Sequence, residues 1–458
     1  MSTHPDSVHG IVPPYLLRHL ADCAEPMGQY ARLTLVRDRR YRQLRLSAPA
    51  IGARTVLPGA AAPGAPSREV FDAANTERLP GSSVRVEGAP ATGDPAVDEA
   101  YDGFGATWRL FAEVFGRDSI DAAGMRLLGT VHYGQAYQNA FWNGSRMVFG
   151  DGDGEVFGRF TASLDVIGHE LTHGVVEHTA GLEYSGQSGA LNESLCDVFG
   201  VLVAQYQAGQ PAELADWLLG GDLLLPGIQG TGLRHLLHPG TAYDDPRLGK
   251  DPQPDHMSGF VSTTDDNGGV HYNSGIPNRA FALAATSLGG PAWERAGRVW
   301  YDVLTGGRLR PDSDFATFAE LTVAAAAERF GPRSAEAEAV GSAWAVVGVG
   351  GAAPVPAPQR SPGLDASADL LLRRTGGLAG LTRQRATTLA DLPPADRDEW
   401  QGLLAGDTLP RLASAAPRYP DAFYYCVTCH AAEVDVELPE PGLPAHVRQL
   451  FERTLGTA

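Results

Sequence analysis

The sequence predicts an α+β fold, on three observations. Strand-like stretches separated by Gly/Asp turns run from Arg68 to Phe149, whereas the text from Asp165 to Val349 is mostly of helical period. Two Ala/Pro/Gly-rich segments, Ser47–Ser67 and Gly350–Gly363, cannot pack a core and read as exposed linkers. Beyond the second linker, residues 364–458 carry their own strands (DLLLRR, AFYYCVTCHAAEVDVEL) and a closing helix (LPAHVRQLFERTL), which marks an independent α+β module.

Composition limits the function classes. The chain has 458 residues with 36 Lys and Arg against 54 Asp and Glu, a net charge of −18, which excludes a nucleic-acid binder that works through phosphate contacts. The uncharged stretch Ala339–Ala357 is broken by Gly and Pro and does not read as a membrane span. The first twenty residues show no basic segment followed by an apolar one and a cleavage site, so no classical signal peptide is seen. A secreted and a cytoplasmic location fit the acidic charge equally. Cys23, Cys196, Cys426 and Cys429 are too few and scattered for a disulfide framework.

Taken in order, IVPPYLLRHL (Ile11–Leu20) reads as a short apolar helix, and the basic alternating run RLTLVRDRRYRQLRL after it reads as strands with a charged outer face. The decisive string is DVIGHELTHGVVEH. His169 and His173, at i and i+4, sit about 40° apart on a helix and roughly 6 Å along it, so both imidazoles reach one ion. Glu170 is turned about 100° from His169 and addresses a water on that ion instead of the ion. Such a string arises by chance in roughly one chain in fifty of this size. Support comes from SGALNESLCDVFG, a second helix with Glu193 and Asp197 one turn apart on one face. Two imidazoles and one carboxylate leave a fourth tetrahedral position open, the arrangement of a catalytic zinc, and Asp197 can accept the other ring N–H of His169. A zinc class that needs a third His six residues after His173 is excluded, because position 179 is Thr and 176 is Val.

At this point the chain resembles the thermolysin-like zinc metallopeptidases from about Val70 to Val349. The strings that carry the likeness are VHYGQAYQNAFWNGSRMVFGDGDG, HELTHGVVEHTAGLEYSGQSGALNESLCDVFG and DNGGVHYNSGIPNRAFALA. The resemblance implies a two-lobed thermolysin-like fold, with a β-rich lobe over 68–168, a helical lobe over 169–349 and the cleft between them. It implies His169, His173 and Glu193 as zinc ligands and Glu170 as general base. His271 and Tyr184 would donate to the oxyanion, and Asp266 would orient His271. Asn139 and the backbone of Ala140 would grip the substrate main chain, and Arg234 would bind a substrate carbonyl. Phe157, Phe160, Val166 and Leu233 align with the wall of a slot that takes a bulky hydrophobic residue just after the scissile bond. The implied activity is that of a neutral zinc endopeptidase acting on peptide and protein substrates.

The likeness weakens at the calcium sites. Asp165 matches a calcium ligand of the family, but the acidic position eleven residues after Glu193 is Ala204, and QAGQPAELADWLLGGD lacks most of the other carboxylates. Ca2+ therefore stays an open cofactor with most ligands missing. The DGDGE string at Asp151 reads as a turn. Residues 1–67, through Pro13, Pro14 and Tyr15, resemble the short propeptide of protealysin-like precursors with its linker. Residues 364–458 resemble emfourin, a small inhibitor associated with those enzymes. The likeness implies that this module contacts the peptidase cleft, within one chain or between two. Two readings stay open beside the peptidase: a catalytically silent or self-inhibited binding protein, and an aminopeptidase of the same zinc class. Cys426-Val-Thr-Cys429-His430 has the form of a c-type haem attachment site, but on a strand residues i and i+3 point to opposite faces.

Overall fold

Pro14 at the first turn of a helix leaves no amide unpaired, and that is where the chain's first helix starts. The computed structural model describes residues 9–47 and 64–350, and in the C-terminal part 367–376, 381–404, 423–432, 434–440 and 445–456 with a few single positions. Residues 48–63 and 351–366, most of both expected linkers, lie outside the described residues. The chain divides into two units, 1–355 and 356–458.

In the first unit a two-residue strand β1 (His9–Gly10) precedes α1 (Pro14–Ala21), which buries Tyr15, Leu16, Leu17 and Leu20, and α2 (Met27–Ser47). Helix α2 corrects the strand expectation for the basic run. Its buried positions Met27, Ala31, Thr34 and Asp38 recur at helical spacing, and two of them are polar, while Leu33 and Val36 face solvent. The apparent alternation came from apolar residues on the exposed side.

Strands β2 (Arg68–Asp72) and β3 (Ser82–Val86), helix α3 (Pro95–Arg109), and β4 (Leu127–Val131), β5 (Ala140–Trp142) and β6 (Met147–Phe149) follow. The six strands form one sheet in the order β1-β5-β6-β4-β2-β3. Strand β4 runs parallel to both neighbours, and β1 pairs antiparallel with β5, so residues from the start of the chain form the sheet edge. Helices α4 (Leu164–Glu177) and α5 (Gly186–Ala208) pack against each other; the lobe boundary expected at 168/169 falls inside α4, which runs on to Glu177. Two glycines set their separation. A Cβ on Gly168 would lie 3.1 Å from the Gly200 Cα, and one on Gly200 would lie 2.5 Å from the Asp165 carbonyl oxygen. This close approach brings His169 on one helix opposite Glu193 on the other.

Residues 209–265 are largely irregular, with two-residue ladders of Leu218–Leu219 on Arg234–His235 and Asp244–Asp245 on Gly249–Lys250. Helices α6 (Asp266–Asn273), α7 (Gly275–Leu288), α8 (Ala296–Thr305), α9 (Phe315–Phe330) and α10 (Ala335–Val346) complete the unit. Among the described residues no helix is long and apolar enough to cross a membrane.

The second unit has a sheet of β7 (Asp369–Gly376), β8 (Leu381–Thr388), β9 (Phe423–Cys429) and β10 (Val434–Pro439) in the order β8-β7-β9-β10, all antiparallel, with α11 (Pro394–Leu404) and α12 (Ala445–Leu455). Its own core includes Leu370, Leu372, Trp400, Tyr425, Val427 and Phe451. Along β9 Cys429 is buried and Cys426 half-buried on the other face, and both are free thiols, an arrangement that does not suit attachment of one haem.

His132, just past β4, lies between two carboxylates: Nδ1 is 2.9 Å from Asp151 and Nε2 3.0 Å from Asp94, which also caps α3. The hydrogen bond to Asp151 is the main cause that raises its pKa to about 9, against the opposing effect of burial. A raised folded-state pKa adds stability that is complete below the unfolded value near 6.5 and is lost as pH rises through about 9. The side chain is 21% exposed, so about 1–2 kcal/mol is expected. Melting curves of the wild type and His132→Asn should differ most at pH 6 and converge by pH 10.

Candidate metal centre

Helix α4 is buried along one continuous run from Asp165 to Val176, so His169 and His173 are both buried. Their Nε2 atoms are 3.1 Å apart, and Glu193 on α5 presents Oε2 3.6 Å from His169 and Oε1 3.5 Å from His173. One ligand atom from each of the three lies within 4.8 Å of the others, and Glu193 Oε2 is buried without a hydrogen bond, 3.3 Å from His271 Nε2. Two imidazoles and a carboxylate converging on one point, with a buried oxygen that makes no hydrogen bond, fit a zinc ion. Among the described residues this is the one cluster of three such groups that can hold a metal.

The outer nitrogens are held as well. His169 Nδ1 lies 2.8 Å from Asp197 Oδ1, which also accepts from Arg234 Nε (3.1 Å) and Nη2 (2.9 Å), while Asp197 Oδ2 accepts from Asn278 (2.8 Å). Burial alone would raise the Asp197 pKa, but Arg234 and His169 bring it down to about 2. His173 Nδ1 faces Asn192 Oδ1 at 2.9 Å and the Cys196 sulfur at 3.1 Å. The sequence reading placed Asp197 but not Asn192 or Asn278. Asn192 directly precedes Glu193, and its side chain could have been noticed there; Asn278 carries no local signal.

Glu170 Oε2 accepts the Trp142 N–H at 3.0 Å, and the carboxylate also faces the Ile11 amide. Burial raises its pKa well above the usual carboxylate range, with the Glu193 charge adding to the effect. Tyr184 donates its hydroxyl to Glu193 Oε1 and lies 3.3 Å from His271 Nε2. His271 is positioned by a turn that only small or amide residues adopt readily: Asp266, Asn267, Gly268 and Gly269 all have φ between +52° and +85°. That turn aims both Asp266 oxygens back at His271, one accepting its N–H at 2.8 Å and the other 2.7 Å from Nδ1.

Strand β5 is the wall of the cleft, and the beginning of the chain lies along it. Gly10 is registered with Phe141 and His9 with Trp142. Ile11 donates its N–H to the Ala140 carbonyl (3.1 Å), and its own carbonyl accepts from Arg234 Nη1 (3.1 Å). Asn139 brackets Val12, with Oδ1 accepting its N–H at 2.9 Å and Nδ2 donating to its carbonyl at 3.3 Å. Asn139 Nδ2 also donates to Asp38 Oδ2 of α2 (3.1 Å), and Tyr137 donates to the other Asp38 oxygen. Ile11 is fully buried, and Phe157, Phe160, Val166 and Leu233 are buried in the same core of the first unit. The sequence reading gave Ile11–Leu20 to a propeptide-like helix but did not lay Gly10, Ile11 and Val12 along β5 or bring Asp38 to Asn139.

Asp165, the calcium ligand that the resemblance implies, is held within the protein: its Oδ1 accepts from Ser163 (2.5 Å) and the Val166 amide (2.7 Å) and its Oδ2 from the Gly220 amide (2.9 Å). Asp153 of the DGDGE string accepts three backbone N–H bonds, from Glu155, Val156 and Phe157, as a turn does.

Comparison with known proteins bears on the whole chain. Residues 69–177 match the family profile described as thermolysin metallopeptidase, catalytic domain, residues 180–349 match thermolysin metallopeptidase, alpha-helical domain, and residues 372–455 match emfourin. An extracellular metalloprotease of Pectobacterium carotovorum subsp. carotovorum is 53% identical over 341 residues, 74% of this chain and 96% of the relative. Protease PrtS of Photorhabdus sp. (strain Az29) is 55% identical over 265 residues, 57% of this chain and 71% of that protein. Among solved structures, the precursor of protealysin, a metalloproteinase from Serratia proteamaculans, superposes with a TM-score of 0.68 at 52% identity, covering 75% of this chain and all of that one.

Proposed function

The chain belongs to the thermolysin metallopeptidase family and is a zinc endopeptidase made as a precursor, and from that premise we propose how its residues divide the work. His169, His173 and Glu193 hold the zinc, which when bound polarises the scissile carbonyl and the attacking water. Glu170 takes the proton from that water and passes it to the leaving nitrogen. Tyr184 and His271 donate to the charge that develops on the former carbonyl oxygen, and Asp266 keeps His271 aimed at it. Asn139 and the Ala140 backbone hold the substrate as an added strand, with Arg234 on a substrate carbonyl. The slot of Phe157, Phe160, Val166 and Leu233 selects a bulky hydrophobic residue after the scissile bond. The convergence of three ligand atoms within 4.8 Å beside Glu170 carries this reading.

Within the same proposal, residues 1–67 form the prosegment and its linker, 68–168 and 169–349 the two peptidase lobes, 350–363 a linker and 364–458 an emfourin module. That module is the chain's own inhibitor or a partner for the cleft of a second copy. Secretion, as for the extracellular metalloprotease of Pectobacterium carotovorum subsp. carotovorum, is the location proposed, with a cytoplasmic one the alternative. Calcium stays an open second cofactor, with most of the family's ligands missing from the sequence.

The test is zinc content and peptide-amide hydrolysis, with and without chelator, on the full chain and on one ending at Gly350, each freed of residues 1–67. One zinc per chain is expected, with activity lost to chelator and regained with zinc. Glu193→Gln should lower zinc uptake. Zinc taken up without hydrolysis by either chain would favour the binding-protein reading, and no zinc uptake would remove the metal site.

A further inference from the structure

Resting on the residue roles just proposed, the geometry points to a substrate already in place: we infer that the Gly10–Ile11 peptide bond of this chain is hydrolysed by its own site. A peptide laid on β5 for hydrolysis needs the nitrogen of its scissile bond near the Ala140 carbonyl and Glu170, the next carbonyl on Arg234, and the following residue bracketed by Asn139. Ile11 supplies the first two and Val12 the third. The strand runs antiparallel to β5, the Ile11 side chain is fully buried, and Gly10 and Val12 line one cavity with Asn139, Tyr184 and His271. The bond on the amino side of Ile11 is therefore the one that faces the catalytic carboxylate.

The residue before that bond is glycine for a local reason. A Cβ there would lie 2.8 Å from Asn139 Nδ2, which is already engaged by Val12 and Asp38. In the reaction the water oxygen bonds to the Gly10 carbonyl carbon and the C–N bond breaks. Glu170 carries the proton to the Ile11 nitrogen, leaving a Gly10 carboxylate and an Ile11 ammonium. Residues 11–47 keep their contacts with Arg234 and Asn139, and Asp38 still clamps Asn139 from α2. The cut therefore trims the segment without clearing the cleft.

Intact-mass spectrometry and N-terminal sequencing of the zinc-loaded full chain test this over time. A species beginning Ile-Val-Pro-Pro is expected, at a first-order rate unchanged by tenfold dilution. Glu170→Gln should keep its first ten residues, and Gly10→Val should slow the cut by about 10²-fold through the displaced register. In parallel, the chain is nicked at Arg54, freed of the released segment and assayed on a peptide amide. If that sample hydrolyses the peptide while the untreated chain keeps Gly10–Ile11 intact, this inference falls and the proposed function stands. If neither bond is cut, both fall.

Discussion

Glu170→Gln, in chain freed of residues 1–67, is expected to lower kcat/KM on a peptide amide by about 10²- to 10⁴-fold while still taking up one zinc. The separation of the two effects follows from where Glu170 sits. It shares α4 with His169 and His173, but its carboxylate is not one of the three converging ligands and is anchored by the Trp142 amide at 3.0 Å. A glutamine keeps that hydrogen bond through its amide oxygen and removes only the proton acceptor. Because burial and the Glu193 charge already disfavour the ionised carboxylate, the neutral amide should not lower the melting temperature. Activity within tenfold of wild type would remove Glu170 as the base, and loss of zinc would make it a ligand instead. Glu193→Gln should give the opposite pattern, with zinc affinity lost first.

The metal centre was legible because its logic is local. Two histidines one turn apart on one helix and two acids one turn apart on the next declare shared faces through the 3.6-residue period alone, and the structure brings these faces together. The α+β order of the elements was legible for the same reason. The period misled where burial and polarity part company, in α2, whose inward face holds Thr34 and Asp38 and whose outward face holds Leu33 and Val36. Strand β1 was out of reach. Two residues carry no period, and what makes them a strand is an edge formed by Ala140–Trp142, more than a hundred positions away. Asn278 and Asp38 likewise acquire their roles only through contacts distant in sequence. The resemblance assigned Arg234 to a substrate carbonyl, but its second task, neutralising Asp197, is visible only in three dimensions.

That second task makes Arg234→Met the substitution with the largest expected cost in stability. Asp197 is fully buried and Arg234 is 1% exposed, so the pair has no water to fall back on. Without the guanidinium, Asp197 retains only His169 and Asn278, and a buried carboxylate stripped of its cation typically costs about 3–5 kcal/mol. For a peptidase unit of this size that is a fall in melting temperature of about 5–8 °C. The double variant Arg234→Met/Asp197→Asn distinguishes a charge effect from lost packing. The neutral amide needs no counter-ion and can still bond Asn278, so more than half of the lost stability should return. Zinc affinity should not return with it, because an amide orients His169 less firmly than a carboxylate does, a loss of about 10- to 100-fold. Recovery of neither property would mean that Arg234 supports the fold through its contacts with the start of the chain and not through Asp197.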